Sequence, residues 1–447
     1  MSKQYRSWSP EQVWMFPPAP RDWLPENHLV YFLMDVTGQV DLSPILAHYE
    51  AELKGQPPFH PRMMVTLLLH AYCTGVFSSR KIMARCETDA AFRVIVGEDI
   101  PDFRTISRFR QTHLPVMKDL FVEVLQLCKE AGLLKVGRLA LDGTKVKANA
   151  SRHKAMSYDR MGTEEQRLQQ EIDDLLKQAQ SIDEEEDVRH GKDRTGEEIP
   201  EELARRESRL KKIKEAKAAL EEQARQKARE HAARLEAEGK TPRKDPEEAV
   251  PDPKAQRNFT DPDSKIMKTS NKGFDQCGNA QAVVNDKQVI LAADVTNQTN
   301  DVQQVVPLLE QTQENLKAAG VEETPKEFTA DAGYYSEPNV SAVAGMGIDP
   351  FIATGRQKHN EKIPDAPRGR MPNDLSPKQK MARKLRTKKG RETYAKRKGM
   401  IEPVFGQIKG VRGFRQFLMR GLEKMQGEWQ LVCLTHNLLK LHRAKPA

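Results

Sequence analysis

Cysteine is scarce in this sequence: Cys73, Cys86, Cys128, Cys277 and Cys433 are spread over 447 positions. Their number is odd and no two stand as Cys-x-x-Cys, which argues against a disulfide framework and against a thiolate zinc site. No uninterrupted apolar stretch approaches the ~18 residues that a bilayer-spanning helix needs. The opening MSKQYRSWSP lacks a hydrophobic signal core, so a reducing cytoplasm is the expected compartment, with no membrane partner. Also missing is a Gly-x4-Gly-Lys-Ser/Thr phosphate loop, so ATP is not expected to drive the chemistry. What is present is a chain long enough for two or three domains at ~100–200 residues each.

The net charge is +8, but it is unevenly spread. Residues 161–250 carry 19 basic and 25 acidic side chains, whereas from Lys378 to Arg415 14 basic residues meet two acids, Glu392 and Glu402. Such a basic concentration fits a polyanion binder, because each Lys or Arg that neutralises a phosphate releases a counterion. A solvated basic tail or a targeting segment is the plainer alternative. Tyr394, Val404, Phe405, Ile408, Phe414 and Phe417 run through the stretch, and a disordered tail would carry few of these.

Residues 1–57 form a lead-in with Trp8, Trp14, Phe16 and an apolar run from His28. From 58 to 134 the pattern is helical: RMMVTLLLHAY puts Met64, Leu67, Leu68 and Ala71 on one face, and LFVEVLQLCKEAGLL repeats that spacing before Gly132. Between them, Pro101 and Asp102 start a helix that presents Arg104, Arg108 and Gln111 on adjoining turns, either a DNA-reading face or solvated surface. GRLALDGTKVKANAS reads as a strand or tight hairpin, with Asp142 near its end and a turn opened by Gly143.

Residues 155–255 break this pattern. Leu203, Leu210, Ile213 and Leu220 recur at near-heptad intervals amid dense charge, as in a long amphipathic helix or coiled-coil hairpin, although Arg206 and Lys217 interrupt the seam. The segment reads as an inserted arm, a spacer or an oligomer contact, closed by the prolines of PDPKAQRNFTDPDSK. Two strands follow, GNAQAVVND and KQVILAADVT, joined at Asn285-Asp286 without the favoured glycine. A helix stopping at Gly320, the strand of EFTADAGYYS and that of IDPFIAT complete an α/β layer, before a helical C-terminal portion.

Three acids stand out. Asp142 and Asp331 end strands, and Glu402 lies in MIEPVFGQIKG within the basic region. Brought together, such carboxylates repel unless cations sit between them, and they suit Mg²⁺, a hard ion that takes carboxylate, phosphate and water oxygens. Two ions about 3.5–4 Å apart can activate a water or a 3′-hydroxyl and stabilise the leaving oxygen of a phosphodiester. The bland readings are a turn hydrogen bond for each aspartate and a salt bridge for the glutamate. Asn279 and Gln281 alternate on a strand that can face Asp142, although polarity at the edge of the core is the plainer account, and Trp429 and His436 read as packing residues.

LALDGTKVKANAS, NAQAVV, TADAGYYS and YAKRKGMIEPVFGQIK, in that order, resemble the insertion-sequence transposases of the DDE class over most of residues 58–440. The resemblance implies an α/β ribonuclease-H-like catalytic core (135–154 and 256–445) interrupted by a charged helical insertion (155–255), with a helical DNA-binding domain at 58–134. It makes Asp142, Asp331 and Glu402 the catalytic, metal-binding triad for Mg²⁺ or Mn²⁺. Its Tyr-x2-Arg-x3-Glu-x6-Lys signature is matched in type by Tyr394, Arg397, Glu402 and Lys409, although Lys398 stands at the spacing expected for the arginine. With Arg104 and Arg108 these side chains would hold DNA. Pro403 suggests a kink or a fresh helix start beside Glu402.

The implied activity is binding of terminal inverted repeats, metal-dependent cleavage and strand transfer into double-stranded target DNA. A homodimer would act in a bacterial, nucleoid-associated setting. A ribonuclease-H-like nuclease without strand transfer, and a DNA-binding protein with a decayed core, are the alternatives.

Overall fold

A computed structural model describes residues 19–50, 57–151, 154–190, 199–237, 239–242, 244–269, 273–355, 366–367, 369–372 and 374–444; for 20–21, 178–190 and 199–202 it describes the backbone alone. Trp8, Trp14 and Phe16 of the lead-in lie outside the described residues.

Among the described residues seven α-helices lead the chain: α1 (Leu29–Gln39), α2 (Ser43–Glu50), α3 (Pro61–Cys73), α4 (Ser79–Thr88), α5 (Ala90–Val96), α6 (Phe103–His113) and α7 (Val116–Glu130). Local chemistry sets their ends. Pro61 opens α3, where its missing N–H costs nothing, and His60 accepts from Arg62 N. Asp102 caps α6 by accepting from Arg104 N at 2.8 Å. Met64, Leu67, Leu68 and Ala71 of α3 are all buried. These helices share one apolar core with the sheet below, because α14 (Leu422–Ala444) packs on α3, α7 and a sheet strand together.

The sheet contains β1 (Arg138–Lys147), β4 (Lys265–Lys268), β5 (Phe274–Asn285), β6 (Ile290–Thr296), β7 (Glu327–Ala330) and β8 (Asp349–Ile352). Its order is β4-β5-β1-β7-β8, with β6 alongside β4 on the outer edge of β5. The β4, β5, β6 and β1 pairings are antiparallel, while β1-β7 and β7-β8 are parallel. The two parallel connections carry helices, as such crossovers require: α10 (Val305–Ala318) precedes β7, and α11 (Glu337–Gly345) precedes β8. After β8 come α12 (Pro377–Arg386) and α13 (Lys388–Gly406), which lies against β1, β5, β7 and β8.

Two local expectations, a turn at Gly143 and a break at Pro403, need correction, and the β5–β6 turn shows how it forms without glycine. β1 does not turn at Gly143; it runs straight through to Lys147, and glycine is required there because the Gln281 side chain occupies the space a Cβ would take. The β5–β6 turn is closed by Asn285, whose Oδ1 accepts from Lys287 N and Val289 N, each at 3.0 Å. Gln288, at φ 63°, takes the left-handed position usually filled by glycine. Finally, α13 continues through Pro403 and ends in a π-turn at Gln407–Val411. Proline has no N–H for the carbonyl four residues back, that of Gly399, and Gln288 Nε2 donates to it instead at 2.8 Å.

The insertion is a pair of long helices, α8 (Tyr158–His190) and α9 (Ile199–Ala237), over a two-stranded base of β2 (Ala155–Ser157) and β3 (Gln256–Asn258). Met161, Leu168 and Ile172 of α8 meet Leu210, Ile213, Ala216 and Leu220 of α9 in a separate apolar cluster, with Leu203 packed against it. The charges that interrupt the seam pair across it: Arg206 with Glu171 at 3.2 Å and Lys217 with Glu165 at 2.9 Å. All five cysteines are buried free thiols. Among the described residues no single helix is long and apolar enough to cross a membrane.

Candidate active site

The parallel register of β1 and β7 ends at Leu141 and Ala330, so Asp142 and Asp331 are the next residues on neighbouring strands. Beyond this point β1 continues while β7 gives way to a turn. Asp331 caps that turn, accepting from Gly333 N at 2.8 Å. Asp142 is largely buried. Burial pushes its carboxyl upward, Asp331 adds to that, and the Arg397 guanidinium opposes it.

Arg397 Nη1 lies 2.9 Å from Asp142 Oδ2, while Lys398 is exposed. One residue in a helix turns the side chain by about 100°, so the two neighbours cannot serve the same site. Tyr394, one turn before Arg397, has its ring centre 5.9 Å from the guanidinium. Burial raises the Tyr394 phenol; Arg397 lowers it, and the charges of Asp331 and Asp142 raise it. Lys409 donates to Thr144 Oγ1 at 2.8 Å and to Lys145 O at 3.2 Å, and burial lowers its ammonium from the ordinary range. Arg397 and Lys409 thus hold α13 and its π-turn to β1 within three residues of Asp142.

Glu402 lies between these anchors in the chain, with its side chain exposed to solvent. Among the described residues no three His, Cys, Asp or Glu side chains meet as a group that could hold a metal ion. Asp142 and Asp331 supply the hard oxygen donors a divalent cation takes, but Arg397 supplies the positive charge at Asp142 here, and Glu402 stands outside the pair.

Asn279 and Gln281 do not share a face with Asp142. In the antiparallel register they stand opposite Lys145 and Gly143, one residue out of phase, which moves them to the other side of the sheet. There they bind an acid that was not singled out from the sequence. Asp301 Oδ1 accepts from Asn279 Nδ2 at 2.6 Å, Gln281 Nε2 at 2.9 Å and Lys145 Nζ at 3.2 Å. Asp301 also approaches the Asp331 turn: a Cβ on Gly333 would meet Asp331 Oδ1 at 3.1 Å and Asp301 Oδ2 at 3.5 Å. Tyr334 joins the two faces. It is fully buried, its hydroxyl donates to Gln281 Oε1, and burial with Asp301, Asp142 and Asp331 nearby pushes its phenol well above the ordinary value.

Other side chains stand apart from these carboxylates. Arg104 and Arg108 are exposed on α6; Arg104 and Arg80 lie over the Phe103 ring, with guanidinium carbons 5.5 and 4.2 Å from its centre. Arg110 of the same helix is buried, donating to Phe77 O at 2.8 Å and Tyr72 Oη at 3.1 Å. Tyr72 in turn donates to the buried Glu428 of α14 at 2.9 Å. Trp429 and His436 are packing residues: Trp429 Nε1 donates to Gln281 O at 2.9 Å, and both rings are buried.

Fold and site together define an α/β layer with an acidic, arginine-compensated centre at the mouth of its parallel strands. Residues 19–112 match the family described as Transposase domain (DUF772), and residues 249–438 match the Transposase DDE domain. The chain belongs to the insertion-sequence DDE transposases. No curated protein and no solved structure matches it. The DDE domain implies a ribonuclease-H-like fold, with which the mixed sheet and its flanking helices agree, and a nucleotidyl-transfer activity on DNA.

Proposed function

We propose that this transposase binds the terminal inverted repeats of its own element, cleaves the DNA at those ends and joins the freed 3′-hydroxyls to target DNA. The observation that carries this reading is the adjacency of Asp142, within β1, and Asp331, just past the end of β7, with Arg397 delivered by the helix that bears Glu402. Asp142, Asp331 and Glu402 would hold the divalent ion, Mg²⁺ or Mn²⁺. When bound, that ion supplies Lewis acidity at the scissile phosphate and lowers the pKa of an attacking water or hydroxyl.

The protein's own groups have distinct tasks. Arg397 balances Asp142 in the ion-free state and is placed to turn to a DNA phosphate, which its planar fork suits. Lys409 adds a positive charge beside Thr144, and Tyr394 offers a hydroxyl to a phosphate oxygen. Glu402 would complete the ion's ligands with the two aspartates, its backbone already held near β1 by Arg397 and Lys409. One site then serves both steps, water giving way to a DNA hydroxyl as nucleophile. Pairing of two ends implies a homodimer. The exposed Arg104 and Arg108 on α6 are proposed to contact duplex DNA.

The test is a strand-transfer assay with pre-cleaved, 3′-hydroxyl-ended element DNA and the divalent ion. Joined product is expected. Hydrolysis without joining would reassign the protein to nucleases, and binding without cleavage under Mg²⁺ or Mn²⁺ would reduce it to a DNA-binding protein.

A further inference from the structure

A cleft of about 820 Å³ separates the inserted hairpin from the catalytic layer. One wall is α9, through Gln223, Gln226 and Lys227; another is Lys265 of β4; the third is the loop from Asn297 to Gln303. That loop also carries Asp301, which approaches the Asp331 turn without itself lining the cleft. The polar lining consists mainly of amides and ammonium groups, although Glu230 and Asp252 also border it.

Cations elsewhere on the hairpin are of two kinds: Lys211 and Lys212 are exposed and outside the cleft, and others are paired. Arg167, Arg209, Lys217 and Arg229 all sit within 3.3 Å of a glutamate oxygen. Lys227, Lys265 and the neighbouring Arg257 have no carboxylate within ion-pairing reach among the described residues. Lys265 is half-buried, and Arg257 and Lys227 add like charge to the burial that lowers its ammonium, against Asp263 alone. Half-buried Lys265, with like charge beside it, gains from an anion in the cleft, and the exposed Lys227 borders the same space.

We propose that this cleft binds the phosphate backbone of DNA running away from the active site, Lys227 and Lys265 contacting phosphates and the amides of α9 and the 297–303 loop contacting sugar and phosphate oxygens. The inserted hairpin is then a DNA clamp. The inference rests on DNA being the substrate, and its test is read by binding, without catalysis.

The affinity of the full-length protein for a mixed-sequence duplex is measured across salt concentrations, in an Asp142→Asn background. Lys227→Gln with Lys265→Gln should weaken binding and flatten the slope of log K against log salt by about 2, since each lost phosphate contact contributes ~0.9. Lys211→Gln with Lys212→Gln removes the same charge from exposed positions of α9 outside the cleft and should leave the slope unchanged. Equal slopes for the two double variants would overturn the proposal. So would a cleft variant that loses dimerisation at unchanged slope, which would make the face an interface between copies.

Lysine-acetylation footprinting of the unaltered protein provides a measurement that does not depend on the variants folding. Duplex DNA should protect Lys227 and Lys265 but not Lys211. Absence of that protection would overturn the proposal, and protection without any cleavage activity would leave the cleft standing while the transposition reading failed.

Discussion

Arg397 reaches Asp142 at 2.9 Å across 255 positions of sequence, from a helix to the central strand of the sheet. This contact holds down a carboxyl that burial and Asp331 push up. In Arg397→Ala the opposing charge is gone, so Asp142 takes up its proton at higher pH. The acid limb of a pH profile of DNA cleavage should move upward, and stability should fall by about 1–3 kcal/mol because a mostly buried acceptor loses a charged donor. An unmoved acid limb would show that Asp142 does not titrate in the reaction.

Gln288 supplies the N–H that Pro403 lacks, so their effects must be coupled. Gln288→Glu removes the donor to Gly399 O while keeping an acceptor for Lys440 Nζ, now 3.1 Å from Gln288 Oε1. Its expected cost is about 1 kcal/mol in stability. With Pro403→Ala the backbone can serve Gly399 O itself, and the same substitution should cost distinctly less. A double-mutant cycle by denaturant unfolding measures the difference; strict additivity would mean the Gln288 bond contributes nothing.

Arg110, Tyr72 and Glu428 form a buried polar bridge between the N-terminal helices and α14. Burial raises the Glu428 carboxyl and Arg110 lowers it. Arg110→Met removes the guanidinium that Tyr72 links to the buried Glu428, a loss of about 1–3 kcal/mol, and adding Glu428→Gln should return part of it. Chemical denaturation of the three variants checks the order; equal stability of Arg110→Met and the parent would contradict it.

Burial lowers His70 and His113 to about 4 and His436 to about 3. A neutral folded-state histidine is protonated on unfolding at acid pH, so its contribution is complete above the unfolded value near 6.5 and is lost as pH falls below it. His436→Gln removes one such group. The stability gap between parent and variant should therefore narrow by up to about 1.4 kcal/mol per pH unit below 6.5. A gap independent of pH would mean His436 is not held neutral.

The parts of this fold legible in the sequence are those written in local pattern. The apolar stripe of α3, the Asp102 cap of α6 and the leucine spacing of α9 follow from periodicity and capping alone. What was hidden depends on partners distant in the chain. Gly143 looks like a turn until Gln281 is placed against it. Pro403 looks like a break until Gln288 is seen to satisfy Gly399. For Asn279 and Gln281, alternation fixes that they share a side, whereas pairing register decides which side. Asp301 sits in a polar TNQTNDV loop with no pattern to mark it; the amides on β5 that bind it were the available signal. Arg110 could not be told from Arg104 and Arg108 by composition, and its place on the buried face of α6 separates them.

The most direct test uses DNA carrying the inverted repeats that flank the reading frame, with Mg²⁺ or Mn²⁺, and follows end cleavage by the parent protein, Asp142→Asn and Asp331→Asn. The parent should cleave and join, and each aspartate variant should lose cleavage while retaining duplex binding. Cleavage by Asp142→Asn at the parent's rate would contradict the assignment of the β1–β7 carboxylates as the reactive centre.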